Sequence, residues 1–316
     1  MNTTKRIVRV SSFHPYSRIF GLHPYSRIFG AIPFLIVSSS ILVSLTSSMV
    51  LLLSFTLYGV KVDTPLLMAA FVLTFAVYNL DKVIMQKEDV INDPDRLKFF
   101  MGRERTWIVI SVVSLTLSVV LGATEGLGVL LTLLLPLAVY AGYSIGLPFM
   151  PRLKEIPVVK NVVLVATWAL VPTLLPNLSK LGPVGEKGML LSILVFYFIF
   201  TKIMVNSILF DLRDVKGDGE SGVRTLPVVL GVKRVRRLLL LLNSTLFLWI
   251  TVCWLLGSFS QYLPILAAST LYGFWYIHFF TREPGQKRIL VDLLVDGEWI
   301  PLALVIALVH VSSWSF

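Results

Sequence analysis

The sequence predicts an all-α integral membrane protein of about nine spanning helices. Three observations predict it. Of the 316 residues, 56% are hydrophobic and only 15% are charged. The mean hydropathy is +0.81. Apolar runs of membrane length recur along the chain, separated by short polar stretches. Soluble domains carry about 25% charged residues, so lipid is the natural solvent for most of this surface. Cys253 is the single cysteine, which removes an intrachain disulfide, a Cys-based metal site and a redox pair.

A spanning helix needs roughly 20 mostly apolar residues at about 1.5 Å each. Nine runs meet this: 32–58, 65–84, 106–124, 126–146, 159–177, 188–210, 235–256, 259–280 and 294–314. The first is long enough to tilt or to begin as an interfacial segment. Residues 1–30 form a basic arm in which HPYSRIFG occurs twice, at His14–Gly21 and His23–Gly30. A tandem duplication explains the repeat, and the alternative is a basic, aromatic interfacial helix. No short apolar core with a small-residue cleavage site follows the arm, so it reads as part of the protein and not as a signal peptide. Residues 31–316 read as a single polytopic domain.

Orientation follows from Lys and Arg. They crowd the arm (Lys5, Arg6, Arg9, Arg18, Arg27) and the even-numbered loops, while the odd-numbered side carries only Lys61, Lys180 and Lys187. The positive-inside rule then puts the N-terminus and the even loops in the cytoplasm and Phe316 outside. The net charge of +10 is on this view a topology signal. Basic residues spread over loops do not make a nucleic-acid module.

The 18 acidic residues are unevenly placed. One cluster, Asp81, Glu88, Asp89, Asp93, Asp95 and Glu104, follows the second run, and another, Asp211, Asp214, Asp218 and Glu220, follows the sixth. Charges at a membrane boundary are costly unless paired or functional. If the sixth helix continues through them, Asp211, Asp214 and Asp218 lie within about a 60° arc of one face. Three carboxylates so close suit a hard divalent cation such as Mg²⁺, which keeps waters and is shared with substrate phosphates. A solvated or Arg/Lys-paired loop is the plain alternative. A calcium loop starting at Asp214 fails, because Lys216 and Thr225 occupy ligand positions. What favours the metal is the presence of two acidic clusters on one membrane face.

These residues carry a resemblance. Nine spans, acidic motifs after the second and sixth, and the run DLRDVKGDGESGVRTLPVVLG resemble the UbiA superfamily of intramembrane prenyltransferases, with YSIGLPFMPRLKEIPVVKN, Tyr143 to Asn161, as a supporting match. The similarity extends from about residue 30 to the C-terminus. It implies a UbiA-like helical bundle around a central cavity, with Mg²⁺ held by the two motifs against the diphosphate of an isoprenyl donor. A lipophilic acceptor, aromatic or other, then receives the polyprenyl group. The first motif departs from the family form Asn-Asp-x-x-Asp-x-x-x-Asp. Aligned on VINDPDR, Asp81 stands at the Asn position, Lys82 at the first Asp, Met85 at the second and Asp89 at the third; aligned instead on Asn79, Asp81 falls one residue late and Val83 takes an acid's place.

Carried onto this chain, the resemblance assigns catalysis and metal binding to Asp81, Asp89, Asp211, Asp214 and Asp218. Substrate binding falls to Asn79, Lys82, Glu88, Tyr143, Lys154, Lys202, Asn206, Arg213 and Arg224. Lys202, about 13 Å along the helix before Asp211, is expected to face the polar cavity, since a lysine within a span is functional by default. Trp168, Tyr140, Tyr143 and Tyr197 are candidates for an isoprenoid channel or for packing. Two other readings remain open: a catalytically altered, lipid-binding relative, motivated by the reduced first motif, and a secondary transporter, for which the sequence shows no repeated half. Phosphatidyl transfer needs an Asp-Gly and Ala-Arg pattern that is not present. Expected partners are the isoprenyl diphosphate, the acceptor and membrane lipid, with no nucleic acid.

Overall fold

A computed structural model describes residues 25–84, 87–140, 158–179, 188–282 and 288–312. Over these residues the chain is helical: α1 (Tyr25–Ser38), α2 (Ile41–Tyr58), α3 (Thr64–Ile84), the short α4 (Lys87–Asn92) and α5 (Pro94–Phe100), α6 (Glu104–Glu125), α7 (Leu127–Tyr140), α8 (Val159–Leu178) and α9 (Gly188–Arg213). There follow the short α10 (Val215–Glu220) and α11 (Leu226–Leu230), then α12 (Val232–Leu255), α13 (Leu263–Phe280), α14 (Arg288–Val291), a π-helical turn (Asp292–Asp296) and α15 (Trp299–Ser312). Of these, seven are long and apolar enough to cross a membrane: α2, α3, α6, α8, α9, α12 and α13. The fourth and ninth predicted runs are represented by α7 and by the π turn with α15, which are shorter in the described residues.

Burial distinguishes centre from rim where composition does not. Over their most apolar 18 residues, 67% of α2 and 50% of α9 lie inside the bundle, against 17% of α6. Leu53, Leu57, Phe198, Ile199, Trp249 and Trp299 join α2, α9, α12 and α15 in one apolar core. Leu51, Phe55, Leu66, Leu73, Leu133 and Leu175 join α2, α3, α7 and α8 in another. In lipid the hydrophobic effect does not drive helix against helix, so close packing and interhelical hydrogen bonds do. Ser48 Oγ donates to Leu67 O at 2.7 Å and Ser118 Oγ to Ala69 O at 3.0 Å, tying α3 to α2 and to α6. Trp249 Nε1 donates to Leu194 O at 3.0 Å, tying α12 to α9.

The first predicted run, 32–58, is two helices. Ser40 has φ 64°, and the break at Ser39–Ser40 is held from α3: Asn79 Nδ2 donates to Ser39 O at 3.1 Å, and Lys82 Nζ donates to Val37 O at 3.2 Å, Ser38 O at 2.9 Å and Ser40 Oγ at 2.8 Å. A run of apolar residues interrupted by three serines looks continuous to a hydropathy reading. Donors from another helix make it two. Of the N-terminal arm, the first HPYSRIFG copy lies outside the described residues and the second enters α1 at Tyr25.

Candidate functional site

The C-terminal ends of α3 and α9, the N-cap of α5 and the π turn meet at one end of the bundle, around a cavity of about 370 Å³. Its apolar walls include Leu51, Leu164, Trp168, Val171, Phe210 and Trp299. Trp168 leans on Tyr78, with ring centroids 5.6 Å apart. The charged lining is Asp81, Asp93, Asp211, Asp292 and Asp296 with Lys82, Arg96, Lys160 and Arg213. Five acids against four cations leave the rim nearly balanced in charge, in a setting where an unpaired ion is expensive.

Each acid of the second motif has a different partner. Asp211, the one acid on α9, accepts from Lys160 Nζ at 2.7 Å and Asn161 Nδ2 at 2.9 Å, both from the start of α8. Asp214 is chelated by Arg213, with both contacts at 3.1 Å, and by Arg288 Nη2 at 2.6 Å. Burial alone would raise its pKa, yet Arg213 and Arg288 hold the carboxyl below its ordinary value. Asp218, 6% exposed, faces Asn92, whose Nδ2 lies 3.4 Å from its Oδ1. Asn92 Oδ1 also accepts from Gly217 N–H at 3.0 Å. A Cβ at Gly217 would overlap the Asn92 side chain, so only glycine lets α10 dock on α4 this closely.

The expected single face of three carboxylates is therefore corrected. The helix ends at Arg213 and Asp214 starts α10. Only Asp211 of the three reaches the cavity wall, while Asp214 and Asp218 stand behind it. The physical reason is that like charges on one face repel, whereas the bend gives each its own cation or amide.

Burial pushes the Asp218 carboxyl up to about 7, against the opposing charge of Lys160 and with the reinforcing charges of Asp211 and Asp214. Between its ordinary value of 3.8 and about 7 the folded protein holds a proton that the unfolded chain releases, so stability contributed here falls as pH rises through that window. Thermal unfolding scanned over this range should show that slope, and Asp218→Asn should flatten it. An unchanged slope in the variant would assign the pH dependence elsewhere.

The remaining predicted residues divide clearly. Asp81, Lys82, Asn206 and Arg213 line the cavity with Asp211. Lys82, expected to bind substrate, also serves as a C-terminal cap for α1 through the Val37 and Ser38 carbonyls it binds. Asn79 is fully buried, braces the α1–α2 break and does not line the cavity. Asp89 pairs with Arg96 at 2.9 Å and does not line the main cavity. Lys202 is corrected as well: it is 0% exposed, bound to Glu298 Oε2 at 2.9 Å and Ser269 O at 3.2 Å, because a lysine sealed within the bundle needs a counter-charge more than a view of the cavity. Arg224 is exposed. Glu88 lies on α4, and Tyr143 and Lys154 lie outside the described residues.

Sequence reasoning missed Arg96, Lys160, Arg288, Asp292 and Asp296, and gave Asp93 no role. Arg288 Nε donates to Asp93 at 3.2 Å while its Nη2 holds Asp214, and Arg213 Nη1 holds Asp292 at 2.8 Å. Two guanidinium groups thus knit the segments after α3, α9 and α13 into one rim. A signal existed: Asp292, Asp296 and Glu298 stand in ILVDLLVDGEWI, where acids have no cheap reason to be.

Among the described residues no three acidic, histidine or cysteine side chains converge as a ready-made metal cage. The donor chemistry of the rim nevertheless fits a hard divalent cation, since Asp81 and Asp211 bring carboxylate oxygens to one cavity from two different helices. Fold and site together define an α-helical integral membrane protein with one cavity lined by paired charges and by apolar side chains. Residues 66–291 match the UbiA prenyltransferase family, and the chain belongs to it. No curated protein matches the sequence. Similar solved structures include a UbiA homolog from Archaeoglobus fulgidus bound to GPP and Mg²⁺, with TM-score 0.65 and 16% identity over 90% of this chain and 100% of that one. The DMAPP- and Mg²⁺-bound form of that homolog gives TM-score 0.60 and 14% identity over 86% and 98%. A digeranylgeranylglyceryl phosphate synthase gives 0.54 and 16% over 88% and 95%. At such identities the likeness establishes the fold.

Proposed function

We propose that this protein is a Mg²⁺-dependent intramembrane prenyltransferase, moving an isoprenyl group from its diphosphate to a lipophilic acceptor. The observation that carries the reading is the division of one cavity into an apolar length and a rim of paired acids and cations. Family membership and the ligands named for the similar structures support it.

Asp81 and Asp211 are the residues that would hold Mg²⁺, with Asp89, Asp214 and Asp218 placed behind them as supports of the rim. Bound there, the metal would stabilise the negative charge that builds on the departing diphosphate. Lys82, Arg96, Lys160 and Arg213 add donors for phosphate oxygens, and Arg213 offers a planar fork suited to them. Trp168, Phe210 and the aliphatic wall house the isoprenyl chain and keep water from the allylic cation, and the aromatic faces attract it. The Lys and Arg distribution supports a rim facing the cytoplasm.

Purified protein incubated with Mg²⁺ and radiolabelled geranylgeranyl diphosphate, against a panel of lipophilic acceptors, should release diphosphate in a Mg²⁺-dependent way. Failure both to bind the donor and to release diphosphate in every combination would defeat the proposal.

A further inference from the structure

Asp292 and Asp296 both face the cavity, four residues apart on the π-helical turn. The turn is built in. Gly297 N–H reaches back to Asp292 O at 3.3 Å, and a Cβ on Gly297 would overlap the Leu293 carbonyl oxygen. Turns of this width are rare and are frequent at functional sites.

The two aspartates are held differently. Asp292 is neutralised by Arg213 at 2.8 Å. Asp296 makes no ion pair among the described residues. Asn206 is fixed, donating to Val295 O at 3.3 Å and accepting from Tyr276 OH at 3.3 Å. Behind it Tyr276 OH lies 3.4 Å from Glu298 Oε1, and Glu298 is paired with Lys202. The lysine charge is thus satisfied by Glu298, and neither of these two lines the cavity. Around Asp296 the charged groups are Asp292 on its own turn, Arg213 on α9 and Glu298 just beyond the turn. From α2 comes Thr46, which donates to the Asp296 carbonyl at 3.3 Å. Asp296 therefore faces the cavity without a salt-bridge partner of its own among the described residues.

The geometry points to Asp296 as the proton acceptor of the transfer, taking its proton from a hydroxyl on the head of the acceptor. This rests on the prenyl-transfer reading above. In the balanced step the bond between the isoprenyl carbon and the diphosphate oxygen breaks, the electron pair leaving with the diphosphate. A bond forms between that carbon and the acceptor's nucleophilic atom, and the proton displaced from the acceptor passes to an Asp296 carboxylate oxygen. No further reactant is needed. The hydroxyl of the acceptor donates to Asp296 before reaction, which fixes the head while the apolar body shares the cavity wall with the prenyl chain.

Full-length wild type, Asp296→Asn and Asp296→Glu are compared in Mg²⁺ with labelled geranylgeranyl diphosphate, reading donor binding and transfer separately. Acceptors are lipophilic phenols and glycerol ethers, each run beside its O-methylated counterpart. Asp296→Asn is isosteric. It should bind donor within about twofold of wild type and transfer at least about 100-fold more slowly, and Asp296→Glu should recover at least about a tenth of wild-type transfer. The O-methyl compounds should not be prenylated. Undiminished transfer by Asp296→Asn, equal use of the O-methyl compounds, loss of donor binding in step with transfer, or a wild type that binds donor yet prenylates no hydroxyl compound would each overturn the inference. A wild type that binds no donor at all instead defeats the prenyl-transfer reading itself.

Discussion

Asp211→Asn is expected to lower prenyl transfer about 100-fold or more while leaving the protein folded. Asp211 is the only acid of its motif on the cavity wall, and Lys160 and Asn161 hold both its oxygens at 2.7 and 2.9 Å. Removing one preorganised charge at a reacting centre costs 10²–10³-fold in well-studied cases, on the order of 3–4 kcal/mol. The asparagine keeps the shape and one hydrogen-bond acceptor, so packing is preserved. Asp214→Asn and Asp218→Asn act through the rim and should cost less, roughly 10–100-fold, as outer supports of a metal site do. The check is the rate of Mg²⁺-dependent diphosphate release across the three variants. An Asp211→Asn protein as active as wild type, beside an inactive Asp218→Asn, would reverse the assignment.

Lys202→Met should destabilise the fold by about 3–5 kcal/mol, since breaking a buried pair from one side strands the other charge. Lys202 and Glu298 side chains are 0% and 4% exposed, and the pair is the polar bridge between α9 and the start of α15. Without the ammonium, Glu298 must either remain charged in a low-dielectric site or take up a proton. The double variant Lys202→Met, Glu298→Gln removes both charges and should recover most of the loss. Thermal unfolding in detergent, monitored by tryptophan fluorescence, reads both. If the double variant is as unstable as the single, the loss comes from packing and not from the stranded carboxylate.

The sequence made the helical membrane class legible because membrane spans need long apolar segments, and that requirement is local. The same holds for the two acidic loops, whose residues are neighbours in the chain. The DLRDVKGD run marked the end of α9 that lines the cavity, and α4 and α10 dock through Asn92 and Gly217. The arc drawn through Asp211, Asp214 and Asp218 assumed an unbroken helix, and a preference for separate counter-charges bent it. Lys202 is a similar case: its depth was readable, but Glu298, its partner almost a hundred positions later, was not. The first predicted span split for the same reason, because Asn79 and Lys82 come from a different helix.

What the sequence by itself determined is what depends on chain neighbours: the solvent of the helices, the ends at which charge collects, and the acid-rich motif that marks the family. The tertiary structure alone decided which acids face the cavity. It put Asp81, Asp93, Asp211, Asp292 and Asp296 around one opening and withdrew Asp89, Asp214 and Asp218 into the support behind it. The physical reason is that a carboxylate at a membrane boundary takes the position its counter-charges permit, and here those are Arg96, Lys160, Arg213 and Arg288, brought from separate segments by the packing of an apolar bundle.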